Sequence, residues 1–300
     1  MSCDANEDVD GRDEPGHDEG KADALDMTPM SRNAFVWLCL VPLAVVVAVF
    51  FLVPMARLVV TGASGPQGLA AYVAILTEPR YRATLVNTVL LAAATTVATL
   101  LIGAVAALFL QRNRFPGRAV LIAMLTFPLA FPGVVVGFMI ILLAGRQGLI
   151  GDITQRITGD KLVFAYSIGG LFLGYLYFSI PRVILTVMAG VEKLDPRLEE
   201  AARSLGAGQW AVHRDVILPA LMPAFVASGA IAFATAMGAF GTAFTLATRI
   251  DVLPMLIYTE FTLGANLAIA AALSVGLGVI AWAMLAIARS FAGGTVAAAG

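Results

Sequence analysis

The sequence predicts an all-α integral membrane protein with six spanning helices, and three observations carry that prediction. The 300-residue chain is 59% hydrophobic and only 13% charged, against about 25% charged in an ordinary soluble domain. Its apolar residues fall into six uncharged runs: Ala34–Ala56, Ala83–Gln111, Ala119–Gly145, Leu162–Pro181, Val216–Thr248 and Phe261–Ala288. Lys and Arg are also shared unevenly between the two alternating sets of loops that these runs define. A spanning helix needs about 20 mostly apolar residues. Backbone groups in hydrocarbon must pair within their own segment, so the runs read as helices.

In chain order, residues 1–33 form an acidic head expected to be disordered and cytoplasmic. Residues 1–26 carry ten acidic side chains against Arg12 and Lys21, too polar and too charged to support a packed core. The near-zero net charge of the whole chain therefore hides a basic remainder, which suits loops beside anionic lipid better than nucleic acid. The first run is too long, and its leader too acidic, for a cleaved signal peptide. The spanning domain is expected at 34–290, with spans at about 34–57, 83–110, 119–144, 163–190, 219–247 and 262–288. A cytoplasmic loop fills 192–218, and 291–300 is a tail. The fourth run continues past Arg182 through an apolar stretch to Val191, which blurs its boundary.

Basic residues set the orientation. With the N-terminus inside, twelve Lys and Arg lie inside and seven outside, and Arg112, Arg114 and Arg118 crowd one short inner loop. Six spans then return the C-terminus to the cytoplasm.

The longest inner loop has its own punctuation. Asp195 is a good N-cap and Pro196 suits the first helical position. Leu198, Ala201, Ala202 and Leu205 recur at helical spacing, and Gly206 suits a left-handed helix end. Trp210, His213 and Ile217 suggest a second amphipathic turn before Pro219 and Pro223. This loop resembles the signature loop of the inner-membrane permeases of binding-protein-dependent ATP-binding-cassette importers, whose pattern is E-A-A, three residues, G, nine residues, I-x-L-P. Glu200, Ala201, Ala202, Gly206, Leu218 and Pro219 match it with the same spacing, and Val216 stands for the isoleucine. An ordinary surface helix explains the apolar stripe but not the whole spacing.

The resemblance implies the six-helix type I importer fold in a bacterial inner membrane. It implies a pathway shared with a second permease subunit, identical or paralogous. A pair of ATPase subunits would seat on the loop, and an extracytoplasmic binding protein would deliver the solute. It also implies that the chain is not an enzyme. Consistently, Gly16 to Lys21 is one residue short of a P-loop and ends in Ala22, and two histidines cannot supply an H-E-x-x-H pair. Cys3 and Cys39 suggest neither a disulfide nor a metal site, and no cofactor is expected.

Five residues are candidates for the solute path: Asn87, Tyr175, Tyr177, Arg182 and Thr242. Tyr175 and Tyr177 offer ring faces to an ammonium group. Arg182 either snorkels to the interface or lines the path and contacts an anion. Thr235 and Thr245 belong to the same polar inventory. Gly133/Gly137 and Gly170/Gly174 are small-residue pairs that permit close helix packing, within the subunit or against its partner. The phrases at 177–182 and 237–241 resemble the spermidine/putrescine branch, which makes a polyamine the expected solute. Iron(III), sulfate, thiamine and aminoethylphosphonate permeases are alternatives of the same family. A secondary carrier or channel is the reading from another class. A carrier would show inverted repeats and mid-membrane charges, and spans two, three, five and six hold no ionisable side chain.

Overall fold

The computed structural model describes residues 32–246 and 251–292. The expected acidic head lies outside the described residues apart from Arg32 and Asn33, as do 247–250 and 293–300. The described residues divide into two compact units, one up to Pro54 and one from Met55 onward.

In the first unit, α1 (Arg32–Val47) runs into a π turn, Ala48–Leu52. Pro54 explains the turn. It has no N–H, and its ring crowds the carbonyl four residues back. Widening the bond so that Val53 N–H reaches the Ala48 carbonyl absorbs the clash. Helix α2 (Val53–Ala63) follows.

The second unit continues with α3 (Ala70–Thr77), α4 (Pro79–Arg112), α5 (Arg118–Thr126), α6 (Gly133–Ala144), α7 (Leu149–Thr158) and α8 (Ile168–Glu192). It ends with α9 (Pro196–Ser204), α10 (Gln209–Val212), α11 (Leu218–Met237), α12 (Phe240–Leu246), α13 (Leu253–Thr262) and α14 (Leu267–Ala292). Among the described residues, six stretches are long and apolar enough to cross a membrane: Val36–Ala63, Pro79–Arg112, Gly133–Thr158, Ile168–Glu192, Gln209–Met237 and Leu267–Ser290.

Two of the uncharged runs are not single helices. The third divides where a 3-10 turn, Phe127–Ala130, and Pro132 separate α5 from α6. Two prolines four residues apart remove two donors there, and α6 restarts with Pro132 in its N-cap position. The fifth ends at Met237, and α12 begins after Gly238 and Ala239. Between the expected fifth and sixth spans, 219–247 and 262–288, lies most of α13.

The core lies where α4, α8 and α11 meet. The buried face of α4 is Thr84, Thr88, Leu91, Ala92, Thr95, Thr99, Gly103, Ala107 and Leu110. These are mostly small residues, which let helices approach closely where lipid supplies no hydrophobic drive. A Cβ on Gly103 would lie 2.6 Å from Val183 Cγ1, so α4 and α8 touch backbone to side chain. Thr88 donates to the Thr84 carbonyl at 2.7 Å and accepts from Leu253 N–H at 2.8 Å, tying the start of α13 to α4. The opposite face of α4 exposes Leu90, Val97, Leu101 and Val105. Exposed leucines and valines in such a row fit a lipid-facing surface rather than a watery one.

Candidate functional site

The loop after α8 folds as its punctuation predicts. Asp195 has extended backbone, and its carboxylate accepts from Arg197 N–H at 2.9 Å. Pro196 opens α9, where a missing N–H costs nothing. At the other end Gly206 takes φ +86°. Ala207 N–H reaches the Ala202 carbonyl at 3.1 Å, and Gly206 N–H reaches that of Arg203 at 2.9 Å. That pair of bonds is the Schellman closure, and it needs a left-handed residue at Gly206. The chain then enters α10 and a π turn, His213–Ile217, in which Leu218 N–H bonds the His213 carbonyl. Pro219 follows two residues after this π turn, just as Pro54 follows the first.

The predicted stripe divides on folding. Ala202 packs, together with Ala207, against the core cluster of Val187, Val191, Val212 and Ile217. Leu198, Ala201 and Leu205 stay exposed, Leu205 at 89%, and Trp210 is exposed at 78%. Glu200, Leu218 and Pro219 are exposed too, and Glu200 makes no side-chain hydrogen bond or ion pair among the described residues. The inner side of the loop is thus fastened to the bundle, and its outer side offers apolar groups and one free carboxylate.

One pairing in this loop escaped the sequence reading, which placed Glu199 only near the positive end of the helix dipole. Glu199 is paired with Arg112, the last residue of α4, and lies 3.6 Å from Arg203. The spacing to Arg203 is the ordinary helical one. Arg112 is 87 residues away, and nothing local announces it. A partly exposed pair contributes only about 0–1 kcal/mol, so its importance is positional: it ties α9 to the end of α4.

The second feature is a cavity of about 230 Å³ lined by Arg182, Thr235, Thr242, Gly133, Gly241, Phe131 and Phe178, among others. It sits where both broken runs are interrupted. Arg182 lies ten residues from the nearer end of α8, is half-buried, and donates from Nη1 to Thr235 Oγ1 at 2.9 Å. Thr242 is buried and donates to the Gly133 carbonyl at 3.0 Å. Tyr175 does not line the cavity. Its hydroxyl satisfies the Ala239 carbonyl, set free by the break between α11 and α12, at 3.1 Å. Of the five path candidates the structure brings Arg182 and Thr242 together and places Tyr175 behind them. Tyr177 is half-buried and Asn87 exposed, and neither lines the cavity. Thr235, the partner of Arg182, came from the wider polar inventory.

Comparison with known proteins agrees with this architecture. Residues 99–293 match the family described as binding-protein-dependent transport system inner membrane component. The molybdenum transport system permease protein ModB of Escherichia coli (strain K12) is 34% identical over 189 residues, covering 62% of this chain and 81% of that one. The sulfate transport system permease protein CysT of the same organism is 33% identical over 204 residues, covering 68% and 72%. A bacterial ABC transporter that imports the acidic polysaccharide alginate has a chain of the same fold. Its TM-score is 0.74 at 18% identity, with 88% of this chain and 96% of that one covered.

Proposed function

This chain belongs to the family of binding-protein-dependent transport system inner membrane components, and on that premise we propose that it forms half of a pathway for a tetrahedral oxyanion of the molybdate or sulfate kind. It is a multi-pass inner-membrane permease subunit of an ATP-binding-cassette importer and not an enzyme. The 195–219 loop carries the mechanistic reading. Its inner side is paired with α4 through Arg112 and packs against α8 and α11, and its outer side, with Glu200, Leu205 and Trp210, is free for an ATPase subunit.

In this reading both termini and the loop face the cytoplasm. A second permease completes the path, and a soluble binding protein delivers the solute from outside, as an alginate-loaded periplasmic protein engages the alginate transporter. Closure of the ATPase pair on ATP moves α9. The Glu199–Arg112 pair and the seated Ala202 carry that displacement to α4 and α8, which swing between inward-open and outward-open arrangements.

The oxyanion takes the place of the polyamine expected from the phrases at 177–182 and 237–241. Relatives named for molybdenum and sulfate transport support it. Tyr175 is closed to an ammonium group, because its ring is 2% exposed and its hydroxyl is engaged. The test is ATP hydrolysis by the importer complex in proteoliposomes, with its binding protein equilibrated with molybdate, sulfate or spermidine. Stimulation by one of the oxyanions is expected. Stimulation by spermidine alone contradicts the reading.

The ion pair makes a separate prediction. Arg112→Glu and Glu199→Arg each lower uptake roughly fivefold or more, and the double exchange recovers most of it. Uptake by the double variant no better than by either single one shows that the pair transmits nothing.

A further inference from the structure

We propose that the Arg182 cavity is a station at which the oxyanion is held on its way through the membrane, an inference that rests on the oxyanion reading above. Arg182 lies ten residues inside the continuous helix α8, whereas Arg146, the other charged side chain as far from the ends of a spanning stretch among the described residues, sits in the turn between α6 and α7. Ionisable groups at such depth are costly and mark solute pathways. The guanidinium has five N–H donors, yet its one hydrogen bond to a side chain goes to a neutral hydroxyl, Thr235 Oγ1, and it forms no ion pair among the described residues. A half-buried cation so poorly compensated attracts an anion, and a planar fork suits a tetrahedral oxyanion presenting two oxygens.

The rest of the lining fits the same ligand. Among the described residues no carboxylate lines the cavity, so none of them repels a dianion there. The hydroxyls of Thr235 and Thr242 donate to the Ile231 and Gly133 carbonyls and must turn to donate to the ion, while Gly133 brings the positive end of the α6 dipole to the wall. Gly133 and Gly241 let α6 and α12 meet closely beside the cavity, since a Cβ on Gly133 would lie 3.1 Å from Thr242 Oγ1 and one on Gly241 3.0 Å from Val134 N. Thr235 is bonded in turn to the Ile231 carbonyl at 2.7 Å, so it parks the arginine rather than neutralising it. On arrival the oxyanion exchanges with the Thr235 hydroxyl for the guanidinium N–H groups. On departure the arginine returns to Thr235. Holding chiefly by one arginine is weak enough to release the ion again. The larger cavity, about 620 Å³ between α4, α11 and α14, is almost wholly apolar and offers an oxyanion nothing.

The experiment uses the whole importer in proteoliposomes with binding protein loaded with molybdate or sulfate, and reads ions delivered per ATP hydrolysed. Arg182→Gln lowers that ratio about tenfold or more, because the amide keeps a donor but loses the charge, while Arg182→Lys, which keeps the charge and loses the fork, lowers it clearly less than Arg182→Gln does. Thr235→Val, which removes the parking hydroxyl, changes the ratio less than Arg182→Gln does. A ratio for Arg182→Gln within about twofold of the unaltered complex overturns the station. So does equal loss in the Lys and Gln variants accompanied by failure to assemble, which makes Arg182 a structural contact. The substrate reading fails visibly elsewhere. If the unaltered complex answers to spermidine and to neither oxyanion, both proposals fall. If it answers to an oxyanion and Arg182→Gln makes no difference, only the station falls.

Discussion

Gly137→Leu is expected to lower the abundance of the folded subunit in the membrane several-fold. A Cβ at Gly137 would lie 2.7 Å from Thr245 Cβ, and it also collides with the Thr245 hydroxyl. The hydroxyl can rotate, although that sacrifices its bond to the Thr242 carbonyl at 3.0 Å. The Cβ cannot, because it is fixed to the backbone of α12. Helices α6 and α12 must therefore separate, and with them the walls of the Arg182 cavity. Overpacking a close contact costs about 1–3 kcal/mol, and leucine stands at the upper end. Leu142→Ala is the control, since Leu142 is 72% exposed on the same helix and should leave membrane abundance nearly unchanged. Gly137→Ala with Thr245→Gly should restore much of the abundance lost by Gly137→Ala alone, less about 1 kcal/mol for glycine in a helix. Equal abundance of Gly137→Leu and Leu142→Ala, measured by immunoblot of membranes, contradicts the packing described. The small-residue pair Gly133/Gly137 thus serves contacts within the subunit, the first of the two readings its spacing allowed.

Gly206→Val should spare membrane insertion and abolish most transport. A side chain at Gly206 meets nothing within 4 Å, so lack of space is not the obstacle. The obstacle is φ +86°, which costs an L-residue about 1–2 kcal/mol and a β-branched one more. That is too little to unfold the bundle but enough to open the Schellman closure and redirect α10 and Trp210. Gly206→Asn tolerates the left-handed conformation better and should keep most of the uptake. ATPase copurification and uptake should fall together in Gly206→Val, by roughly tenfold for a displaced docking surface worth 1.4 kcal/mol. Valine and asparagine variants with the same uptake would show that the left-handed bend is irrelevant.

The loop was legible in the sequence because its signals are local. A cap, a proline at the first helical position and a glycine at the end state a helix within a dozen residues. The interrupted runs were not legible. Pro181 and Pro223 stay inside continuous helices, whereas Pro128 and Pro132 end one. In lipid a bundle can re-satisfy backbone groups that proline frees, so proline alone does not decide between a kink and a break. The buried face of α4 was hidden for a related reason. Its lipid face is as apolar as its core face, and the core is marked by threonine, alanine and glycine rather than by hydrophobicity. Asn87 shows the consequence. It was as polar a candidate as its neighbour Thr88, yet the helix turns Asn87 outward and buries Thr88. The Arg112–Glu199 pair and the meeting of Arg182 with Thr235 and Thr242 are products of the tertiary fold, which no spacing rule encodes.

The most direct test of the central claim, that the 195–219 loop seats the ATPase, is site-directed cross-linking from Leu205. A photoreactive side chain at this exposed position in the whole importer should attach to the ATPase subunit, and the yield should change when ATP is added. Attachment only to lipid or to the extracytoplasmic binding protein, with none to the ATPase, would contradict the account.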